Sequence, residues 1–396
     1  MQAVIHIRDP RDRVRSGHPW VFDNQVLRID GSPGPGDIVR VVDDRGRPVG
    51  QGYYNAVSRI LVRLLTREFD VRVNAGFFRE RIQEAWDHRE RIGCPPSRRV
   101  VFGEADGLPA LVADLFKDEG NDPGVLVLQT LSLGMDRWKD VLVDALREVT
   151  GASRVFERND VPIRTKEGLD PQKGFLSEPF ETRIRIREND LIWEVDVATG
   201  QKTGHFLDQR LNHASIAPIV PGARVLDCFT HTGGFALHAA RYGASEVTGL
   251  DISADAVHQA STNAALNGLG DRCTFKEANV FDHLTEASRK GGQWDVIVLD
   301  PPAFAKSRSA LDKAWRGYKE INLRAMKCLP RGGFLVTCSC SQHMTPDLFR
   351  DMVGEAARDA RRQLRTVTEG GQPPDHPVHW SIPETQYLKS LVLQVL

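Results

Sequence analysis

Val225-Leu-Asp-Cys-Phe-Thr-His-Thr-Gly-Gly-Phe235 is the stretch on which the reading of this chain turns. The apolar run from Arg224 to Cys228 reads as a buried strand, Thr232-Gly233-Gly234 as a tight turn, and the residues from Phe235 onward as a helix. Glycine at such a turn lets backbone N–H groups approach a ligand, and the N-terminus of the following helix favours negative charge. A second apolar run, Glu246-Val-Thr-Gly-Leu-Asp251, ends in a carboxylate of the kind that accepts hydrogen bonds from ribose hydroxyls. These are the parts of a nucleoside-cofactor site at the carboxyl ends of parallel strands. The dinucleotide fingerprint G-x-G-x-x-G is absent, since the turn runs Thr232-Gly233-Gly234-Phe235-Ala236, and this argues against hydride transfer.

Working outward, residues 189–396 alternate strand and helix, the pattern of a doubly wound parallel sheet. Strands are predicted at Val225–Cys228, Val247–Asp251, Cys273–Glu277, Val296–Asp300 and Gly333–Ser339, with a closing hairpin at about 364–368 and 390–395. Residues 1–72 are rich in Val, Ile, Gly and Pro and read as a small β-rich module, with strands at Ile38–Val42 and Ile60–Leu65. Residues 73–188 read as an α+β domain. Its first helix, about 71–91, places Phe77, Phe78, Ile82 and Trp86 at helical spacing, hence in the core. Arg183, Arg185 and Arg187 alternate along a later strand and share one face, which is either solvated or touches phosphate.

Composition narrows the function classes. A chain of 396 residues exceeds one typical domain. No apolar run approaches the roughly 20 residues that span a bilayer, and the N-terminus lacks the apolar core of a secretory signal. Six cysteines without a C-x-x-C pair make no disulfide framework, so a reduced, cytoplasmic protein is expected. Cys and His never cluster at metal-ligand spacing, so no metal is expected. A formal net charge of −1 gives no global pull towards nucleic acid, although local basic patches could supply one.

Trp294-Asp-Val-Ile-Val-Leu-Asp300, followed at once by Pro301-Pro302-Ala303-Phe304, resembles motif IV of class I S-adenosylmethionine-dependent methyltransferases. The resemblance implies a C-terminal class I (Rossmann-like) methyltransferase domain. At the other end, Ser16-Gly-His-Pro-Trp-Val-Phe22, Gly36-Asp-Ile-Val-Arg-Val41 and Gly50-Gln-Gly-Tyr-Tyr54 resemble a PUA domain, which implies a module that binds structured RNA. Arg8, Arg11, Arg13 and Arg15 crowd this stretch, and Arg13, His18 and Trp20 are the expected RNA contacts; the plainer alternative is a solvated charge cluster beside a Trp/Phe core.

Gly200-Gln-Lys-Thr-Gly-His-Phe-Leu-Asp-Gln-Arg210, together with Asp375-His-Pro-Val378 and Pro383-Glu-Thr-Gln-Tyr-Leu-Lys389, is similar to the ribosomal RNA large-subunit methyltransferase I family of 5-methylcytosine enzymes. The resemblance implies S-adenosylmethionine as cofactor and 23S ribosomal RNA, or a large-subunit precursor, as partner. A homodimer is also implied, with no role for a membrane. It places Phe206 and Arg210 near the cofactor, Asp227, Thr232 and Gly233 at its amino-acid end, Asp251 on its ribose, and Asn279 near its adenine, where Asn stands for the commoner Asp. Asp300 borders both cofactor and base.

Carbon 5 of a pyrimidine is too weak a nucleophile to attack a sulfonium unaided. A thiolate adding at carbon 6 makes an enolate-like species whose carbon 5 can attack, so such an enzyme needs a placed cysteine. Thr337-Cys-Ser-Cys-Ser341 offers two. In the family the nucleophile sits in a Ser-Cys-Ser context, which matches Cys340, whereas Cys338 lies within the apolar run and reads as core. Asp300 is the candidate for a hydrogen bond to cytosine N3 or its amine. Lys306 is a candidate to assist or to bind phosphate, or is simply solvated. Ala303 after Pro-Pro excludes a second catalytic cysteine there. Two rival readings stand beside this one: a guanine-N7 ribosomal RNA methyltransferase, which needs no cysteine, and a non-catalytic RNA-binding assembly factor that retains the cofactor fold.

Overall fold

The computed structural model describes residues 2–9, 12–117, 122–290, 294–305 and 307–396. The chain divides into two compact units. The first comprises Met1–Ile186, Val195–Leu207 and Pro374–Thr385; the second comprises Arg187–Glu194, Asp208–Pro373 and Gln386–Leu396. Both parts expected before residue 188 therefore share one unit, and two segments from within 189–396 cluster with them.

In the first unit, strands β1 (Val4–Ile7), β2 (Trp20–Phe22), β3 (Val26–Asp30), β4 (Ile38–Val42), β5 (Pro48–Tyr54) and β6 (Ile60–Thr66) form one sheet in the order β2-β6-β5-β4-β1-β3. Alternation along β1 and β4 sends Ile5, Ile7, Val39 and Val41 into its core. Gly52 is required there: a Cβ would stand 1.9 Å from the Arg63 carbonyl oxygen on the neighbouring strand. Helix α1 (Ala75–Arg91) follows, capped by Asn74, whose side chain accepts from Phe77 N. Phe77, Phe78 and Ile82 are buried, as their spacing predicts, while Trp86 is half-buried against the same core and Ala85 is buried beside them. Strands β7 (Arg98–Phe102), β8 (Leu111–Phe116) and β9 (Val125–Thr130), helices α2 (Leu133–Arg137) and α3 (Lys139–Thr150), and strands β10 (Arg154–Asn159) and β11 (Gln172–Phe175) complete a second sheet, ordered β11-β10-β9-β8-β7.

A hairpin of β12 (Arg183–Glu188) and β13 (Leu191–Asp196) leads to α4 (Arg210–Ser215). The second unit is then built from β14 (Arg224–Cys228), α5 (Gly234–Arg241), β15 (Glu246–Asp251), α6 (Ala254–Leu266), β16 (Cys273–Glu277), α7 (Val280–Lys290), β17 (Val296–Leu299), α8 (Leu311–Cys328), β18 (Phe334–Ser339), α9 (Pro346–Ala360), β19 (Leu364–Gly371) and β20 (Lys389–Val395). The sheet order is β16-β15-β14-β17-β18-β20-β19, parallel except where β20 runs antiparallel to both its neighbours. Chain order reverses between β14 and β17, the switch point at which open α/β sheets leave a crevice. Leu226, Leu299, Leu335, Tyr318, Ile321, Phe349 and Met352 form the core between this sheet and its helices. Each predicted strand is present, with ends moved by a few residues at most; β17 stops at Leu299, so Asp300 lies just past the strand. Among the described residues no helix is long and apolar enough to cross a membrane.

The first unit is held by a buried ion pair. Arg63 donates from Nη1 to Glu167 Oε2 at 3.0 Å and from Nη2 to Oε1 at 2.8 Å, and Ser58 Oγ and Asn55 Nδ2 donate to the same carboxylate at 2.6 and 3.1 Å. Removing one partner of such a pair leaves an uncompensated buried charge, which typically costs about 3–5 kcal/mol. Glu167→Ala is therefore expected to destabilise the protein by about that amount in urea unfolding; a change below about 1 kcal/mol contradicts this account of the unit.

Candidate active site

The site is assembled from strand ends in the second unit. Asp227, next to last in β14, is 1% exposed. Its Oδ2 accepts from Thr230 Oγ1 at 2.6 Å and from Ala236 N at 2.9 Å, while its Oδ1 is buried with no partner. Burial pushes the Asp227 carboxyl up to about 7, and the charge of Asp300 adds to that push against the lowering bonds from Thr230 and Ala236. The turn after β14 is held in an unusual backbone: Phe229 (φ 64°), His231 (φ 51°) and Gly233 (φ 97°) all adopt left-handed conformations. For the two non-glycine residues this is strained, and such strain persists only where the surroundings enforce it.

Asp251 supplies part of that enforcement. Its Oδ2 accepts from His231 N at 2.9 Å and its Oδ1 from Ser253 N at 3.0 Å, so one carboxylate organises the turn after β14 and the start of α6. Ser253 in turn caps α6 by accepting from Ala256 N. Asn263 Nδ2 donates to the Thr232 carbonyl at 3.2 Å. A second device clamps α5: His238 lies between the Gly234 carbonyl, 2.7 Å from Nδ1, and the Asn189 amide, 2.9 Å from Nε2. His213 stacks on it and shares a 2.6 Å bond with Glu188. Beside Asp251, Ile252 is 73% exposed, an apolar surface next to the acid that sequence reading did not single out. Asn279 is exposed, and its Oδ1 accepts from Phe281 N at 2.9 Å.

These groups fit the expected cofactor. An orphaned buried carboxylate oxygen calls for a donor such as an ammonium, a left-handed glycine brings backbone close to a ligand, and the half-buried Asp251 suits ribose hydroxyls. Arg210 opens α4 and is buried. Phe206 belongs to the first unit, where Lys202 Nζ lies 4.4 Å from its ring centroid.

The ends of β17 and β18 form the other half of the cluster. Gln209 Nε2 donates to Asp300 Oδ2 at 2.9 Å, and Gln209 Oε1 accepts from Asn212 Nδ2 at 2.6 Å. Gln209 lies inside the quoted Gly200–Arg210 motif, but only the fold shows that it orients Asp300. Cys338 is 0% exposed, its Sγ 3.4 Å from Ser390 Oγ, and burial pushes its thiol well above the ordinary value. Cys340 is half-buried, one residue past β18. The serines on either side face inward: Ser339 Oγ donates to the Tyr318 hydroxyl at 3.1 Å, and Ser341 Oγ lies 2.9 Å from the same hydroxyl. Ala305 N donates to Ser341 Oγ at 3.2 Å, tying the Asp-Pro-Pro loop to the cysteine turn. Tyr318 carried no sequence signal beyond its helical spacing. Lys306 and Arg11 lie outside the described residues.

The three residues expected to contact RNA have partners within their own unit. His18 is 0% exposed, and it and Arg13 both engage Glu384. The Trp20 indole N–H donates to Glu104 at 2.8 Å. His18 is buried and needs its acceptor, whereas the Arg13 side chain, though paired, remains 34% exposed. Among the described residues Trp380 is the most exposed large apolar side chain of this unit, at 99%, in a loop closed by bonds among His379, Ile382 and Thr385.

A family model described as S-adenosylmethionine-dependent methyltransferase matches residues 162–393, and one described as PUA-like domain matches residues 9–67. Among curated relatives, the Ribosomal RNA large subunit methyltransferase I of Shewanella denitrificans is 42% identical over 402 positions, covering 100% of each chain. That of Alteromonas mediterranea is 38% identical over 400 positions, covering 100% of this chain and 99% of its own. Among solved structures, a chain from Streptococcus mutans assigned as a SAM-dependent methyltransferase gives a TM-score of 0.83 at 19% identity, with 100% of both chains covered. A methyltransferase solved in complex with SAH gives 0.82 at 19% identity, again covering 100% of both chains. At that identity the two structures speak to the fold alone.

The raised carboxyl of Asp227 makes a prediction about the ligand-free protein. A group whose folded pKa exceeds its unfolded one favours the fold below the unfolded value, and that contribution is lost as pH rises through the folded value. Between the ordinary 3.8 and about 7, Asp227 should therefore erode stability as it ionises. Asp227→Asn should gain on wild type over this window, by an amount on the order of a few kcal/mol at its upper end. Urea unfolding of both proteins at pH 4, 5.5 and 7 checks this; a difference that does not change with pH would show that Asp227 is not the group responsible.

Proposed function

Because the chain belongs to the ribosomal RNA large subunit methyltransferase I family of S-adenosylmethionine-dependent methyltransferases, we propose that it methylates carbon 5 of a cytosine in large-subunit (23S) ribosomal RNA, with Cys340 as a transient nucleophile. The observation that carries this reading is the contrast between the two cysteines of one strand end. Cys338 is sealed in the core with a thiol that stays protonated, while Cys340 is half-buried beyond the strand. A methyltransferase acting on guanine N7 would have no use for a thiol in that place.

S-adenosylmethionine supplies, when bound, an electrophilic methyl on a sulfonium. The chain's own residues do the rest. Asp227, Thr232, Gly233 and Asp251 hold the cofactor, with Arg210 and Asn279 as its further contacts. The Cys340 thiolate adds to carbon 6, and the displaced electron pair makes carbon 5 nucleophilic. Asp300, held by Gln209, accepts a hydrogen bond from the base edge and fixes the ring against the cysteine. After methyl transfer the carbon-5 proton passes to solvent water acting as base, and the electron pair it leaves re-forms the carbon 5–carbon 6 double bond and expels the Cys340 sulfur as thiolate. Lys306 is placed by sequence to assist near the same loop.

Recognition of the RNA falls to the PUA-like domain and its unit. There Trp380, rather than the internally paired Arg13, His18 and Trp20, offers a face for stacking an unpaired base. Such stacking is worth about 1–3 kcal/mol per base. Trp380→Ala should accordingly weaken RNA binding roughly 5- to 150-fold in a filter-binding or anisotropy titration, without loss of stability. Unchanged affinity would remove Trp380 from the RNA site.

The chemistry is tested by methyl transfer from labelled S-adenosylmethionine to unmethylated large-subunit ribosomal RNA, with mass spectrometry of the product nucleoside. Wild type and Cys338→Ala should yield 5-methylcytidine, and Cys340→Ala none. A methylated guanosine formed equally by all three proteins would replace the carbon-5 reading with the nitrogen one. Cofactor binding without any product would favour an assembly factor.

A further inference from the structure

We propose that Lys389 is a positioning residue for Cys340: its buried ammonium anchors the turn that carries the cysteine and stabilises the thiolate. This rests on the reading of Cys340 as nucleophile. Lys389 opens β20 and pairs in register with Ser339, the last residue of β18 before the cysteine. It is 6% exposed. Lysine is almost never buried to that degree without a partner, yet among the described residues no carboxylate forms an ion pair with it. Its Nζ instead donates to two neutral acceptors, the carbonyls of Ser341 at 2.7 Å and Tyr387 at 2.8 Å. Ser341 follows Cys340 directly, so the ammonium holds the carbonyl of the Ser341–Gln342 peptide, one residue past the cysteine.

A buried ammonium facing only carbonyls is an incomplete arrangement, and a thiolate at Cys340 completes it. Burial draws Lys389 down to about 8, and the charge of Cys340 acts in the opposite sense, favouring the ammonium. The attraction is mutual: a thiolate that favours the ammonium is favoured by it to the same extent. The other groups around the turn do not supply this charge. Tyr318, on α8, has its phenol pushed up by burial and is neutral, and the Cys338 thiol on β18 is likewise protonated. Asp300, at the end of β17 and held by Gln209, carries charge of the wrong sign, as does Asp208, which accepts from the Tyr387 hydroxyl at 2.6 Å. Lysine suits this position better than a fixed cation would. Its charge is lost as pH rises through about 8, so the thiolate–ammonium pair exists only below that point.

The test is the pH dependence of Cys340 alkylation by iodoacetamide in the full chain, without RNA or cofactor, read by peptide mass spectrometry so that the other cysteines do not interfere. In wild type the midpoint is expected clearly below the free-thiol value of about 8.5. Lys389→Met should raise it by about one unit or more, slowing alkylation at pH 7 roughly tenfold, while Lys389→Arg should keep it low. A wild-type midpoint at or above that free-thiol value overturns the proposal without recourse to any variant, as does a Lys389→Met profile that superimposes on wild type. Because the readout involves no methyl transfer, it is separable from the proposed chemistry. If Cys340→Ala still forms 5-methylcytidine, the mechanism fails whatever the alkylation shows.

Discussion

Two carboxylates at the ends of adjacent parallel strands set the terms for the second unit. β14 and β17 pair with Asp227 opposite Val298, so Asp227, near the end of one strand, and Asp300, just past the end of the other, come close at the switch point of the sheet. Both cannot be charged cheaply there. Asp227 yields: it is buried, its one bonded oxygen serves the turn that follows, and its carboxyl rises to about 7. Asp300 lies past the strand, where Gln209 can hold it. One acid is thereby left buried with an unpartnered oxygen and the other is fixed by an amide, a separation that identical side chains acquire only from their surroundings.

The same logic of enforced geometry runs around the site. Left-handed backbone at Phe229 and His231 is unfavourable by itself, and Asp251, Asn263 and the His238 clamp hold the segment in place. On the other side, Tyr318 binds both serines that flank Cys340, and Lys389 grips the carbonyl that follows it. Cys340 itself lies between these two held serines, just past the end of β18, and is half-buried. Rigidity in the neighbours thus defines where a reactive group can point.

The first unit shows how a surface inferred from residue types can be claimed from within. Arg13, His18 and Trp20 carry the chemistry expected of an RNA contact, but Glu384 and Glu104 take their polar atoms. Glu384 lies more than three hundred residues along the chain, and nothing local in the sequence announces that it returns to this module. Its carboxyl is lowered to about 2 despite its burial, chiefly by the bonds and charges of His18 and Arg13, so it is an anion at any physiological pH.

The order of residues alone carries the alternation of elements from Val225 onward, the acid that ends β15, the one that follows β17, the glycine turn, and the contrast between Cys338 in the apolar run and Cys340 beyond it. All of these are periodicity or short-range patterns, and hydrophobic burial with period two or 3.6 leaves them legible in one dimension. Helix α1 and its buried Phe77, Phe78 and Ile82 were legible for the same reason. It takes the folded chain to show that Gln209 serves Asp300, that Lys389 sits against the cysteine turn, that Glu384 pairs with Arg13 and His18, and that Trp380 is exposed. Each of these depends on contacts between segments distant in sequence, or on which face of an element meets another. Desolvation, which sets the protonation of Asp227, Cys338 and Lys389, is a property of that packing and has no signature in the order of residues.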